Sequence, residues 1–242
     1  MSSLETRKIE PQSGTTVTLG AAGDGVTAGD GATIKTNTVK DAGGNTIFTS
    51  DGAGTLSSVN SALAGSMIFI SSQTANSSAS LDFTSGIDST YDEYVFCFVN
   101  MNPATDNASF RFQVNAVGQT GFNETITSSY FATWHDEADT AAGVGYITSH
   151  DQAQGTGYQI ISYSTGNGAD EGASGVLHIF APSSTTYVKQ FYSRASNRHG
   201  ADYAQEVDVG GYINTTSAIN QVSFDMSSGN ITAGTVYMYG IN

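Results

Sequence analysis

The stretch that most constrains this chain is residues 91–117, YDEYVFCFVNMNPATDNASFRFQVNAV. In its first half Tyr94, Phe96 and Phe98 alternate with Val95, Cys97 and Val99, so an extended backbone here is apolar on both faces. Such a strand belongs in the middle of a core. In its second half Phe110, Phe112 and Val114 fall on one face and Arg111, Gln113 and Asn115 on the other, the pattern of a half-solvated strand. Asn102, Pro103, Thr105, Asp106 and Asn107 supply turn chemistry between them, because Pro fixes φ while Asn and Asp bond their own backbone. The two runs are therefore expected to fold about a turn as the centre of a sheet.

Nowhere do apolar residues hold a helical period over three turns. Strands are expected instead at 66–71, 80–84, 93–100, 109–117, 128–134, 143–148, 158–164, 175–180, 187–195, 203–213, 219–226 and 234–240. Twelve short strands with frequent turn signals predict an all-β sandwich or jelly roll. Ser227, Ser228, Gly229 and Asn230 read as a hairpin-like join, since Gly or Asn takes φ > 0 at little steric cost. The closing VYMYGIN has no polar tail and is expected to dock into the sheet.

Residues 1–60 read differently. Phe48 is their only aromatic, and Val17, Leu19, Val26, Ile34, Val39, Ile47 and Leu56 stand isolated among Gly, Ser, Thr, Asp and Asn. Ordering a backbone costs roughly 1–2 kcal/mol per residue, and so sparse an apolar set cannot offset that alone. GDGVTA at 23–28 is followed by GDGATI at 29–34 and by the turn-rich AGGNTIFTSDGAGTL at 42–56. Short strands stacked along an axis, or wound around sister chains, fit that spacing. The expected organisation is an extended Gly-rich β arm over 1–60 followed by a jelly-roll-like antiparallel β-sandwich head over 61–242.

Lys and Arg number 8 against 22 Asp and Glu, for a net charge of -14. Nucleic acid and anionic membranes both require a basic footprint, so neither is an expected partner. The single cysteine, Cys97, rules out an internal disulfide and reads as a small core residue. MSSLETRKIEPQ lacks a basic segment followed by an apolar run, so no signal peptide is expected, and no apolar run has membrane-spanning length. Without a secretion signal the five Asn-x-Ser/Thr matches carry no weight.

Catalytic and metal motifs are weak. The acidic groups at His135-Asp136-Glu137-Ala138-Asp139, His150-Asp151 and Asp170-Glu171 lack the alternating oxygen pattern of a calcium loop and read as solvated loops. His135, His150, His178 and His199 show no zinc-ligand spacing, and His178 reads as a satisfied sheet histidine. Gly172-Ala173-Ser174-Gly175 is one residue short of a nucleophile elbow, and GDGVTA lacks the βαβ setting of a dinucleotide site. No cofactor is expected. A polysaccharide hydrolase using Asp136, Glu137 or Asp151 is the weakest alternative. Trp134, the only tryptophan, precedes His135, Asp136 and Glu137; an indole face with neighbouring carboxylates suits a sugar ring, with Tyr130, Tyr146 and Tyr163 as companions. The competing reading makes Trp134 a core residue.

SSLETRKIEPQSGTTVTLGAAGD resembles the N-terminal arms of tail-fibre and head-fibre proteins of tailed phages, and DAGGNTIFTSDGAGTL resembles their Gly-Asn turn repeats. GIDSTYDEYVFCFVNMNPATDNASFRFQVN and GNITAGTVYMYGIN are similar to the β-sandwich ends of phage virion proteins. The resemblance covers about half the chain and transfers no catalytic residue. It implies a virion structural protein, a short fibre, spike or capsid decoration protein on the particle surface, homotrimeric and held to other virion proteins by its arm. Ile9, Val17, Leu19, Val26 and Ile34 are the expected anchor residues, and host adsorption through surface glycan is a compatible role. The alternative from another class is a carbohydrate-binding module.

Overall fold

The computed structural model describes residues 36–53, 56–57, 59 and 67–241. The chain divides into two units between Leu63 and Ala64, against an expected boundary after residue 60. The expected anchor residues Ile9, Val17, Leu19, Val26 and Ile34 lie outside the described residues.

Within the first unit, β1 (Thr38–Lys40), β2 (Thr46–Ser50) and β3 (Leu56–Ser57) form a small antiparallel sheet. Its first turn is built by Asp41, whose carboxylate accepts from the Asn45 backbone N–H at 2.8 Å. Gly44 closes that turn at φ +85°, so the expected Gly-Asn turn is present. Every residue of β2, Phe48 included, is only half-buried.

The second unit contains thirteen described strands: β4 (Met67–Thr74), β5 (Ser80–Phe83), β6 (Glu93–Pro103), β7 (Ala108–Ala116), β8 (Ile126–Asp136), β9 (Ala142–Tyr146), β10 (Ala153–Gly155), β11 (Gln159–Thr165), β12 (Ala173–Phe180), β13 (Lys189–His199), β14 (Tyr203–Ile213), β15 (Ile219–Met226) and β16 (Ile231–Ile241). Each of the twelve expected strands corresponds to one of these, and β10 is additional. One layer runs β4-β16-β6-β12-β13-β14-β8, with β9 and β10 on β8; the other runs β11-β7-β15-β5. The layers join where Thr165 of β11 meets His199 of β13. All pairings are antiparallel, and early strands pair with late ones: β4 and β6 flank β16, while β5 and β7 flank β15. This nesting makes the expected all-β, jelly-roll-like sandwich, nearly closed at its other edge, where Gln73 of β4 donates to the Asp82 carbonyl of β5 at 2.9 Å. The closing strand β16 is docked between β4 and β6, as expected.

The two halves of the 91–117 stretch lie in different layers: β6 pairs with β12 and β16, and β7 with β11 and β15. Their connection is an arch. Asn102 does not turn the chain; its amide donates to the Gly168 and Glu171 carbonyls, both at 2.9 Å, and β6 continues through Pro103. The reversal comes at 104–107, with Asn107 at φ +60°. Likewise Gly229 adopts φ +70° as expected, yet its join carries the chain from β15 across to β16 in the opposite layer. Arches are favoured because Phe96 and Phe98 of one layer can then meet Phe83, Phe110 and Phe224 of the other, edge-on or tilted, with rings 5.2–5.5 Å apart.

Two faces differ from expectation. The Arg111, Gln113 and Asn115 face of β7 is covered rather than half-solvated. Gln113 is fully buried and donates to the Glu124 and Gly157 carbonyls, each at 2.9 Å. Arg111 pairs with Asp225 through two bonds of 2.9 and 2.7 Å and lies against the Tyr158 ring. The Tyr158 hydroxyl donates to Ser223, whose own hydroxyl donates to Asp82 at 2.6 Å. Polar side chains here serve as attachment points for the crossing loops, which alternation alone does not reveal. Cys97, in turn, lies on the outer face of β6 in register with Tyr237 and Val176, half-buried with its thiol pushed up by desolvation, not between the layers.

Phe224 touches Phe83, Phe96 and Phe110 and is fully buried. Phe224→Ala should cost about 3–5 kcal/mol in urea unfolding of the full chain. A loss under ~1 kcal/mol would mean that this ring cluster does not hold the layers together. Arg111→Met, which leaves the Asp225 carboxylate largely buried without its fork, should cost about 3 kcal/mol by the same measurement.

Candidate functional site

Alternation along β8 turns Tyr130, Ala132 and Trp134 inward, and the register sets Trp134 beside Gln205 of β14 and Gln205 beside Asn197 of β13. This polar-aromatic row lies at one end of the sandwich, where the phenylalanine core stops. Gly143 and Gly145 of β9 make room for the indole: a Cβ at Gly143 would stand 2.5 Å from Trp134 Cζ2. Facing the row are Ile147, Ser149 and His150, from the segment after β9, and Tyr163 of β11.

That segment is tied down on both sides. The Ile147 N–H donates to the Tyr130 carbonyl at 3.0 Å, Ser128 and Gln152 exchange two bonds of 2.9 Å, and the buried Gln159 amide donates to the His150 carbonyl at 3.0 Å. His150 is thereby held against Tyr163, ring centroids 4.0 Å apart, and edge-on to Tyr130 at 5.0 Å. Tyr130, Ala132, Trp134, Ile147, Ser149, His150, Tyr163 and Gln205 enclose a cleft of about 260 Å³.

Three residues that line this cleft carry a buried polar atom without a hydrogen-bond partner in the protein, Tyr130 OH, His150 Nδ1 and Gln205 Oε1; Asn115, Asn197 and Asn220 each carry another elsewhere. Tyr130 is 0% exposed and Gln205 8%. An orphaned buried polar group costs about 1–3 kcal/mol, so three beside one cavity call for a polar partner from outside the fold. Desolvation, with a smaller contribution from Tyr163, pushes the Tyr130 phenol far up, so it remains a donor at any physiological pH. Desolvation also lowers the pKa of His150, against an opposing pull from Asp151, and keeps its ring neutral near pH 7. No Lys, Arg, Asp or Glu lines the cleft.

The residues expected to contact glycan are divided between sites: Trp134 lines the cleft and, with His135, also borders an outer groove, while His135, Asp136 and Glu137 together line a second outer groove with Arg198 and Tyr203. Trp134 points into the cleft. His135, the next residue, points outward, pairs with Asp139 at 3.1 Å and borders a shallow outer groove with Ser196 and Glu206. The Asp136 carboxylate closes the β8–β9 turn by accepting from the Thr140 and Ala141 N–H groups at 2.8 and 2.9 Å, and the bond it accepts from the Thr140 hydroxyl does most to hold its pKa below the usual range. Glu137 reaches Arg198 at 3.2 Å, and Arg198 also holds Glu171 and Asp202. Of the companion tyrosines, Tyr130 and Tyr163 line the cleft, whereas Tyr146 meets Phe131 edge-on on the outer face and bonds Asp151. Gln205 and His150 were not singled out as sugar contacts; the alternation of 203–213 marks Gln205 as inward and polar, the one signal that could have found it. His178 is paired with Glu93 and stacked on Tyr192, a satisfied sheet histidine. Among the described residues no group of three or more His, Cys, Asp or Glu side chains could hold a metal ion.

No protein-family model matches the chain, and neither a curated protein nor a solved structure matches it.

His150 and His199 flank Tyr163, and desolvation depresses both pKa values against weaker pulls from Asp151 and Asp106. The unfolded chain then binds more protons than the folded one below the ordinary value of 6.5. Stability should be full above pH 6.5 and fall as pH drops below it, well before carboxylates titrate. Replacing both residues by Phe should flatten the thermal midpoint between about pH 6.5 and 5; an unchanged acid slope would contradict this origin.

Proposed function

We propose that this chain is a non-catalytic surface protein of a tailed-phage particle, a short fibre, spike or decoration protein whose arm anchors it and whose jelly-roll-like head adsorbs to glycan. The observation that carries the binding part is the Trp134 cleft, where an indole and two tyrosines stand beside three unpartnered buried polar atoms. Aromatic faces with a few convergent polar groups are what small-ligand sites consist of. The virion part is supported by the resemblance of the arm and sandwich segments to phage fibre proteins. It is supported too by the arm's sparse apolar content, which calls for a partner's core. Partners are then other virion proteins and sister chains in a homotrimer, with neither nucleic acid nor membrane insertion involved. The second reading, a free-standing carbohydrate-binding module, draws on the same cleft without the particle.

Val17→Asp with Leu19→Asp should abolish incorporation into particles while the far-ultraviolet β spectrum of the purified chain is retained. Normal incorporation would reject the anchor assignment. Trp134→Ala should leave incorporation unchanged and reduce adsorption of particles to host cells about tenfold or more. Full adsorption by those particles would remove the head from host recognition.

A further inference from the structure

We infer that the Trp134 cleft takes a single uncharged pyranose ring at the end of a glycan, and not an acidic sugar; this deepens the binding reading above and rests on it. Size gives the first limit. A space of about 260 Å³ falls below the roughly 300–1,000 Å³ of sites for drug-sized ligands, so one ring enters and a chain does not. Composition gives the second. Trp134 and Tyr163 offer apolar ring surface for the C–H face of a pyranose, while Tyr130 OH, Gln205 Oε1, His150 Nδ1 and the Ser149 hydroxyl are the donors and acceptors nearest its hydroxyls.

Charge gives the third limit. A carboxylated sugar would bring an anion into a cleft with no cationic side chain on its walls. Arg198, which follows Asn197 in the chain, is committed to Glu137, Glu171 and Asp202. The net charge of -14 adds a repulsive field to the approach of any anion. A neutral hexose or N-acetylhexosamine meets none of these penalties and satisfies the orphaned atoms. Glycoside hydrolysis uses a pair of carboxyl groups and no Asp or Glu lines the cleft, so the ring is held and not cleaved.

Because Trp134 is the only tryptophan, its emission reports the cleft without background. The full-length protein is titrated with methyl glycosides of glucose, galactose, mannose and N-acetylglucosamine, and with methyl glucuronide and sialic acid. At least one neutral glycoside should change Trp134 emission saturably, and neither acidic sugar should. Tyr130→Phe, which removes only an oxygen that bonds nothing in the fold, should weaken that binding about tenfold at an unfolding midpoint that is equal or higher. An acidic sugar binding as tightly as the neutral ones would overturn the inference and leave the binding reading standing. So would a neutral glycoside whose affinity is indifferent to Tyr130→Phe. If no sugar perturbs Trp134, the inference fails, and adsorption of Trp134→Ala particles separately decides whether the head recognises the host at all.

Discussion

The structure depends on the stack of phenylalanine rings between the two layers of the head. Phe96 and Phe98 enter from β6, Phe110 from β7, Phe83 from β5 and Phe224 from β15. Strands adjacent in sequence must leave for opposite layers if their rings are to meet, so the chain crosses by arches at 104–107 and 227–230. Nested pairing of early with late strands then gives β16, β6, β7 and β15 a bonded neighbour on each side. The jelly-roll-like order follows from where the aromatic side chains fall.

Polar burial then separates two ends of the same sandwich. Over β7, β15 and β5 most buried polar groups are matched, Asn115 Oδ1 and Asn220 Oδ1 excepted: Gln113 holds two loops, Arg111 forks onto Asp225, and Tyr158, Ser223 and Asp82 form a chain. At the Trp134 end the fold provides hydrogen-bonding atoms and no protein partners for them. The reason for reading this end as a site is that Tyr130, His150 and Gln205, each with an unpartnered atom, line one cleft beside the indole, which Asn115 and Asn220 do not.

Much of the fold was legible because strand periodicity is a local signal. The twelve expected runs were marked by alternation and by Gly, Asn and Pro at their ends, and β16 was expected inside a sheet. Partnership was not legible. Nothing local distinguishes a hairpin at 227–230 from an arch, since Gly229 takes a positive φ in either. The polar face of β7 read as solvated because alternation reports side-chain chemistry and not the loops that later cross it. β10 is too short to alternate. For the site, Trp134, Tyr130 and Tyr163 stood out as aromatic residues in strands, but His135, Asp136 and Glu137 were grouped with the indole by adjacency alone. Successive side chains on a strand point to opposite faces, so His135 goes outward where Trp134 goes inward. Gln205 and His150 come from distant segments and meet Trp134 only through the register of β14 on β8 and the Gln159 tether.

The measurement that bears most directly on the cleft as a binding site is a crystal structure of the protein grown with the neutral methyl glycoside that binds best. The expected result is one ring against Trp134 and Tyr163, with hydroxyls within about 3.2 Å of Tyr130 OH and Gln205 Oε1. Ordered waters alone on those two atoms, with the glycoside elsewhere or absent, would show that the cleft is a hydrated end of the core and contradict its role as a ligand site.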